Sequence, residues 1–206
     1  MARNACFLPG TDRAFEERII EYRQQKRKDV LAFRKAVSEY YPDKKILEIS
    51  RKSDNSLGVR LSAVNLKLDG YPLECVYQSS KHFEGDGRFD FLLYEKPEYA
   101  RKYVRDNAFG DVICFVYNGM LFNRHPKTMF YDYIYIKAVC QSGIDLSKLL
   151  EYGAFTDIDF NPAVSYNCQA RSCAILVHLL KNGTLNHHLS SVDSFRELYR
   201  GNPYLI

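Results

Sequence analysis

Glu74, Gln78 and Lys81 set an acid, an amide and an amine four and then three residues apart. On a helix, at about 100° per residue, the three fall within about 60° of one another. Such a stripe could hold a sugar or nucleotide between a proton carrier and a nucleophilic amine. The plainer reading is a solvated helix face with a weak Glu–Lys pair. Asp157 and Asp159 stand between aromatic residues just before Asn161 and Pro162. Two carboxylates on a loop, opposite a helix starting at Asn167, could position a water or hydroxyl groups. Ordinary turn chemistry explains the same residues. A third feature is aromatic wealth: 16 Tyr and 13 Phe, with no Trp. Tyr131 and Tyr135 lie one helical turn apart with Asp132 beside them, a face on which a base could stack. Most of these rings are expected in the core, since a buried Tyr needs only one polar outlet.

Other chemistries find little support. Six cysteines, at 6, 75, 114, 140, 168 and 173, form no CxxC and no zinc-finger spacing with histidine. They read as reduced, mostly buried thiols, and no metal site is expected. The histidines at 82, 125, 178, 187 and 188 have no Ser/His/Asp or HExxH context. There is no GxGxxG or Walker motif, so no cofactor is expected. No apolar run approaches the roughly 20 residues of a membrane span. The start, MARNACFLPGTDR, lacks a signal-peptide core, and a cytoplasmic location is expected. The first 60 residues hold 14 Lys/Arg against 9 Asp/Glu, and the remainder is near neutral. That bias could favour a phosphate-bearing partner, although a solvated surface is the blander account of it.

With 206 residues and 46% hydrophobic content, the chain reads as one globular domain with a terminal extension. Residues 1–45 are expected to be that extension, packed on a core domain spanning 46–206. Residues 15–22 fit strand or helix. A helix is expected over 24–41, stopped by Pro42, and a strand over 45–50. Apolar alternation over 57–68 ends in the turn signal Asp69-Gly70. Pro72 opens a helix predicted to run through LECVYQSSKHF, and Pro97 opens another ended by Gly110. Residues 112–117 read as a buried strand and 127–140 as a buried helix. A short helix over 147–152 precedes a loop over 155–162. Asn167 is expected to cap a helix to Asn182, stopped by Gly183. A last helix is expected over 190–200, ended by Gly201. The fold class is therefore α+β, helix-rich with a few short strands.

Taken in this order, the motifs resemble the NADAR family of YbiA-like N-glycosidases. Glu74-Cys-Val-Tyr77-Gln78-Ser-Ser-Lys81-His-Phe83 is similar to its E-x-x-(aromatic)-Q-x-x-K helix. Leu61 to Asn65 and Asp69 to Pro72 resemble the segments leading into it, and Asp159 precedes Asn167 by the family's spacing. The segments LEISRKS, LGVRLSAVNL, VYQSSKHFEG, FYDYIYIKA and GAFTDIDFNPAVSYNCQAR resemble the subgroup of NADAR antitoxins associated with DarT toxins. The family's Gly-rich stretch and Trp are replaced by TDIDFNPAVSY, so either Asp157 or Asp159 takes the late acidic role. Contacts of the absent Trp would fall to Phe155 or Tyr166.

The resemblance implies a YbiA-like fold and an N-glycosidase removing ADP-ribose from guanine in DNA. The implied partner is a DarT-type toxin that uses NAD to modify DNA; the implied product is ADP-ribose. Lys81, Glu74, Asp159 and Asp157 would be catalytic, with Lys81 passing through a Schiff base. Gln78, Ser62, Asn65, Tyr131, Asn167 and Arg171 would bind substrate. The alternatives are a glycosidase for phosphorylated riboflavin-pathway intermediates and a non-catalytic binder of ADP-ribosylated nucleic acid.

Overall fold

The computed structural model describes residues 2–10, 14–23, 29–85, 87–108, 110–163 and 165–200. In chain order its first elements are strands β1 (Ala2–Pro9) and β2 (Phe15–Tyr22), helix α1 (Val30–Tyr40), strand β3 (Ile46–Glu48) and helix α2 (Ser56–Arg60). A short hairpin, β4 (Lys67–Leu68) and β5 (Tyr71–Pro72), leads into helix α3 (Leu73–Ser79). Strands β6 (Lys81–Phe83) and β7 (Gly87–Arg88) precede helix α4 (Pro97–Asn107). Strands β8 (Val112–Tyr117) and β9 (Met120–Asn123) precede helix α5 (Met129–Gln141). Strand β10 (Ala154–Thr156) is followed by helices α6 (Gln169–Lys181), α7 (Leu185–Leu189) and α8 (Val192–Arg196). The α+β class is as expected. Contacts divide the chain into two compact units: residues 1–62 with 143–186, and residues 63–142 with 187–206.

The first unit is built on a four-stranded sheet in the order β2-β1-β10-β3. Side chains of β1 alternate between its faces, as the strand repeat requires. Cys6 and Leu8, with Ile20 and Tyr22 of β2, pack with Phe33, Ala36 and Val37 of α1. Phe7 and Phe15 lie on the other face, where Arg171 of α6 sits over the Phe15 ring. Covered on both faces, β1 is buried from Asn4 to Leu8. Residues 15–22, open between strand and helix in the sequence, pair along their whole length with β1. The expected helix over 24–41 begins at Val30, capped by Asp29; residues 24–28 lie outside the described residues.

The second unit contains an antiparallel sheet in the order β7-β6-β8-β9 and the β4–β5 hairpin, whose turn places Asp69 and Gly70 at φ 53° and 87°. Helix α5 is buried on most of its circumference, as its apolar length predicted. Phe130 stacks on Phe115 at 4.6 Å, and Tyr133 meets Phe195 edge-on at 5.2 Å. Asp132 is fully buried and accepts from Tyr199 Oη at 2.8 Å. It is therefore a structural acid within the core, not part of a stacking face.

Several expected boundaries are corrected. The alternation over 57–68 is not a strand: α2 and a 3-10 turn, Ala63–Asn65, occupy most of it. Helix α3 stops at Ser79, well before Phe83, because the Ser79 and Ser80 hydroxyls bond back to the Val76 carbonyl. Lys81 to Phe83 instead pair with β8. The expected loop over 155–162 begins as strand β10 between β1 and β3. Cys168, not Asn167, is the residue before the first turn of α6, and it makes no side-chain cap. The short helix over 147–152 is a 3-10 turn, Leu146–Glu151. The last expected helix is broken into α8 and a 3-10 turn, Glu197–Tyr199; Gly201 lies outside the described residues.

Candidate functional site

In the second unit, α3 presents Glu74 and Gln78 one turn apart, and Gln78 Nε2 donates to Glu74 Oε1 at 2.8 Å. Arg101, from α4, clamps the same carboxylate through both oxygens, Nε to Oε1 at 3.1 Å and Nη2 to Oε2 at 3.0 Å. This two-point clamp fixes the carboxylate plane. The other end of the Gln78 amide, Oε1, is buried and has no hydrogen-bond partner among the described residues. A buried acceptor left open is costly, and a ligand hydroxyl would satisfy it.

Lys81 follows at the start of β6, opposite Phe115 of β8. Its ammonium lies 4.7 Å from the centre of the Tyr77 ring. Tyr77 in turn stacks on Phe115 and meets Tyr131 edge-on at 5.7 Å. Burial in this aromatic wall pushes the Lys81 amine down to about 8, against the charge of Glu74, which pulls it up. About a tenth of the amine is then neutral at pH 7. The stripe of Glu74, Gln78 and Lys81 survives, although Lys81 reaches it from a strand.

The first unit holds a second group of acids. Asp157 follows β10 and is 5% exposed. Burial, reinforced by the nearby Glu48 charge, raises its carboxyl to about 8, while the Asp159 N–H, donating at 3.0 Å, pulls it down. Glu48, at the end of β3, is itself buried and accepts from Thr156 Oγ1 at 2.6 Å and from Ile158 N at 2.8 Å. Asp159 is more exposed and pairs with Lys52 Nζ at 3.1 Å. Arg171, 4% exposed, donates from Nη1 to the Tyr166 carbonyl at 2.6 Å.

The expected site residues thus fall in two groups. Glu74, Gln78, Lys81, Tyr131 and Asn65 belong to the second unit; Ser62, Asp157, Asp159, Asn167 and Arg171 belong to the first. Within the second, Glu74, Gln78, Lys81 and the Tyr77–Tyr131 wall come together, and Asn65 is exposed at the end of its 3-10 turn. Within the first, Asp157 and Asp159 are joined, and Ser62 is buried. Phe155 is wholly buried in the sheet, which removes it as a substrate contact and leaves Tyr166, 61% exposed.

Two residues were missed. Arg101 gives no local signal, because only the packing of α4 on α3 brings it to Glu74. Glu48 was legible, as the one acid among the apolar residues Ile46, Leu47 and Ile49 of KILEIS.

The family model of the DarT1-associated NADAR antitoxin matches residues 19–204. No curated protein matches the chain.

Proposed function

Since this chain belongs to the DarT1-associated NADAR antitoxin family, we propose that it is an N-glycosidase that removes ADP-ribose from guanine in DNA. The observation that carries the reading is Lys81: an amine brought to about 8 in an aromatic wall, beside a clamped carboxylate. Neutral Nζ adds to the anomeric carbon of the ribose, and the bond to guanine breaks with its electron pair passing to the base. Addition leaves Nζ positively charged; the clamped Glu74 carboxylate takes the proton that Nζ sheds and passes it to the departing nitrogen. Opening of the sugar ring gives an imine between Lys81 and the ribose. Water adds to that imine, and the amine leaves as ADP-ribose is released. Gln78 Oε1 accepts from a ribose hydroxyl. The toxin paired with this chain would supply the modified DNA.

The test is turnover of DNA carrying ADP-ribose on guanine, with mass spectrometry of both products. Release of ADP-ribose and return of unmodified guanine are expected. Borohydride is expected to trap a sugar adduct on Lys81, and Lys81→Ala to abolish turnover. Full activity of Lys81→Ala without an adduct would replace the imine with direct attack by water. Turnover only of a phosphorylated riboflavin-pathway intermediate would move the chain to the small-molecule branch. Asp157→Asn and Asp159→Asn in the same assay identify the late acid by which of them lowers kcat.

A further inference from the structure

Helix α3 has a second face. Glu74, Tyr77 and Gln78 occupy one side, where Lys81 joins them from β6; Val76 and Ser79 project from the other at the helical repeat, with Ser80 following at the C-cap. Behind that rear face lies a cavity of about 320 Å³, within the size range of small-ligand sites. Its lip is the 3-10 turn Asp90–Tyr94. Residues i and i+3 of such a turn lie one above the other, so Phe91 and Tyr94 share a side. Leu92, fully buried, anchors the turn in the core while Phe91 and Tyr94 remain 44% and 75% exposed. Tyr94 meets Tyr71 edge-on at 5.6 Å, which sets two rings around the opening. Phe91 is held in place by Tyr103, perpendicular to it at 5.0 Å, and the exposed parts of the Phe91 and Tyr94 rings offer apolar surface to a ligand.

The charges in the lining select the ligand. Arg88 is paired with Asp90 at 2.7 Å. Asp69 accepts from the Tyr117 hydroxyl at 2.5 Å, from Asn118 Nδ2 at 3.1 Å and from Gln141 Nε2 at 2.9 Å. Two carboxylates against one guanidinium repel a phosphate, and their existing partners leave little for a cation. A flat, neutral ring with polar edges fits. The cavity and the Lys81 stripe are separated by the width of α3, about 10 Å with side chains. At about 3.4 Å per stacked nucleotide, that is the distance to a base about three positions away on the same strand.

We propose that this cavity holds an unmodified nucleobase about three positions from the ADP-ribosylated guanosine on the same strand, stacked against Tyr94 and Phe91. The proposal rests on the glycosidase reading and supplies its preference for polymer over nucleoside. Two substrates separate its parts: a single-stranded oligonucleotide carrying ADP-ribosyl-guanine, and the ADP-ribosylated nucleoside alone. Tyr94→Ala and Phe91→Ala are expected to raise KM for the oligonucleotide about tenfold, with kcat and nucleoside kinetics unchanged. Tyr94→Trp keeps the stacking surface, so KM is expected to return to the parent value. In this chain without Trp, its fluorescence is expected to be quenched by the oligonucleotide. Equal losses on both substrates, or no change on either, would overturn the proposal. If the parent turns over neither, the glycosidase reading fails, and anisotropy with an unmodified oligonucleotide still reads the cavity. Tenfold weaker binding by Tyr94→Ala supports the base site; equal binding removes it.

Discussion

At the scale of single residues, the site depends on how far each charge is offset. Lys81 is held at about 8 by burial, and Glu74 works against that shift. A reaction needing the neutral amine should therefore have a kcat that rises with pH and levels off above about 8. A flat profile from pH 6 to 9 would remove the amine from the rate-determining step. In the proposed reaction Arg101 would be a positioning residue, since its guanidinium both orients Glu74 and offsets its charge. Arg101→Gln leaves that carboxylate to act on Lys81 alone. The rising limb is expected to move to higher pH by up to about one unit, with kcat at pH 7 falling several-fold. Arg101→Lys should restore much of the limb's position but less of kcat, because an ammonium does not hold both oxygens in one plane. A variant that loses kcat with its pH profile unmoved would make Arg101 purely structural. The types of Glu74, Gln78 and Lys81 were legible because their spacing keeps them on one side. Arg101 was not, because a partner 27 residues away is set by packing between helices.

At the scale of elements, the sequence reading succeeded where one force dominates. The apolar-rich length of α5 specified a buried helix nearly to its ends, and Gly183 stops α6 at φ 66°. The apolar run of β8 specified a strand but not its burial: only Phe115 and Tyr117 are buried, and Ile113 is 41% exposed. The sequence reading overran where a neighbour decides. Lys81 continues a helical stripe by spacing, yet β8 offers backbone partners that a further helical turn would forgo. Residues 154–156 look like loop because three residues are too few to show alternation, and they become strand because β1 and β3 flank them. Gly58 shows the same dependence on neighbours. A Cβ there would lie 2.0 Å from the Glu48 carbonyl and 2.4 Å from Ser53 Oγ. Gly58→Ala should push α2 away from β3 and cost about 1–3 kcal/mol, read as a lower midpoint in urea. An unchanged midpoint would mean that α2 shifts freely. Thermal scans at fixed pH would report the same loss.

At the scale of the whole molecule, the two units carry buried groups whose titrations act on stability in opposite directions. Asp157 has its folded value raised to about 8 from an unfolded value near 3.9. The folded chain therefore binds the extra proton between these limits. The stability this contributes is complete below about pH 4 and is lost as pH climbs to about 8, by up to about 1.4 kcal/mol per pH unit. Lys81 is lowered, so the unfolded chain holds the extra proton between about 8 and 10.5, and stability is regained across that range. That gain is opposed by buried thiols. Burial raises Cys6 to about 12 and Cys75 to about 11, whereas unfolded thiols ionise near 9. The parent should thus melt highest on the acid side of neutrality, with little recovery above pH 9. Difference curves isolate the two groups. Asp157→Asn keeps the shape of the side chain and discards its proton, so its melting temperature relative to the parent should rise steadily from pH 5 to 8. Lys81→Met discards the ammonium, so its advantage over the parent should be constant below pH 8 and shrink from 8 to 10. Parallel curves for Asp157→Asn would show that Asp157 ionises normally inside the first unit, and parallel curves for Lys81→Met would remove the lowered amine on which the imine chemistry depends.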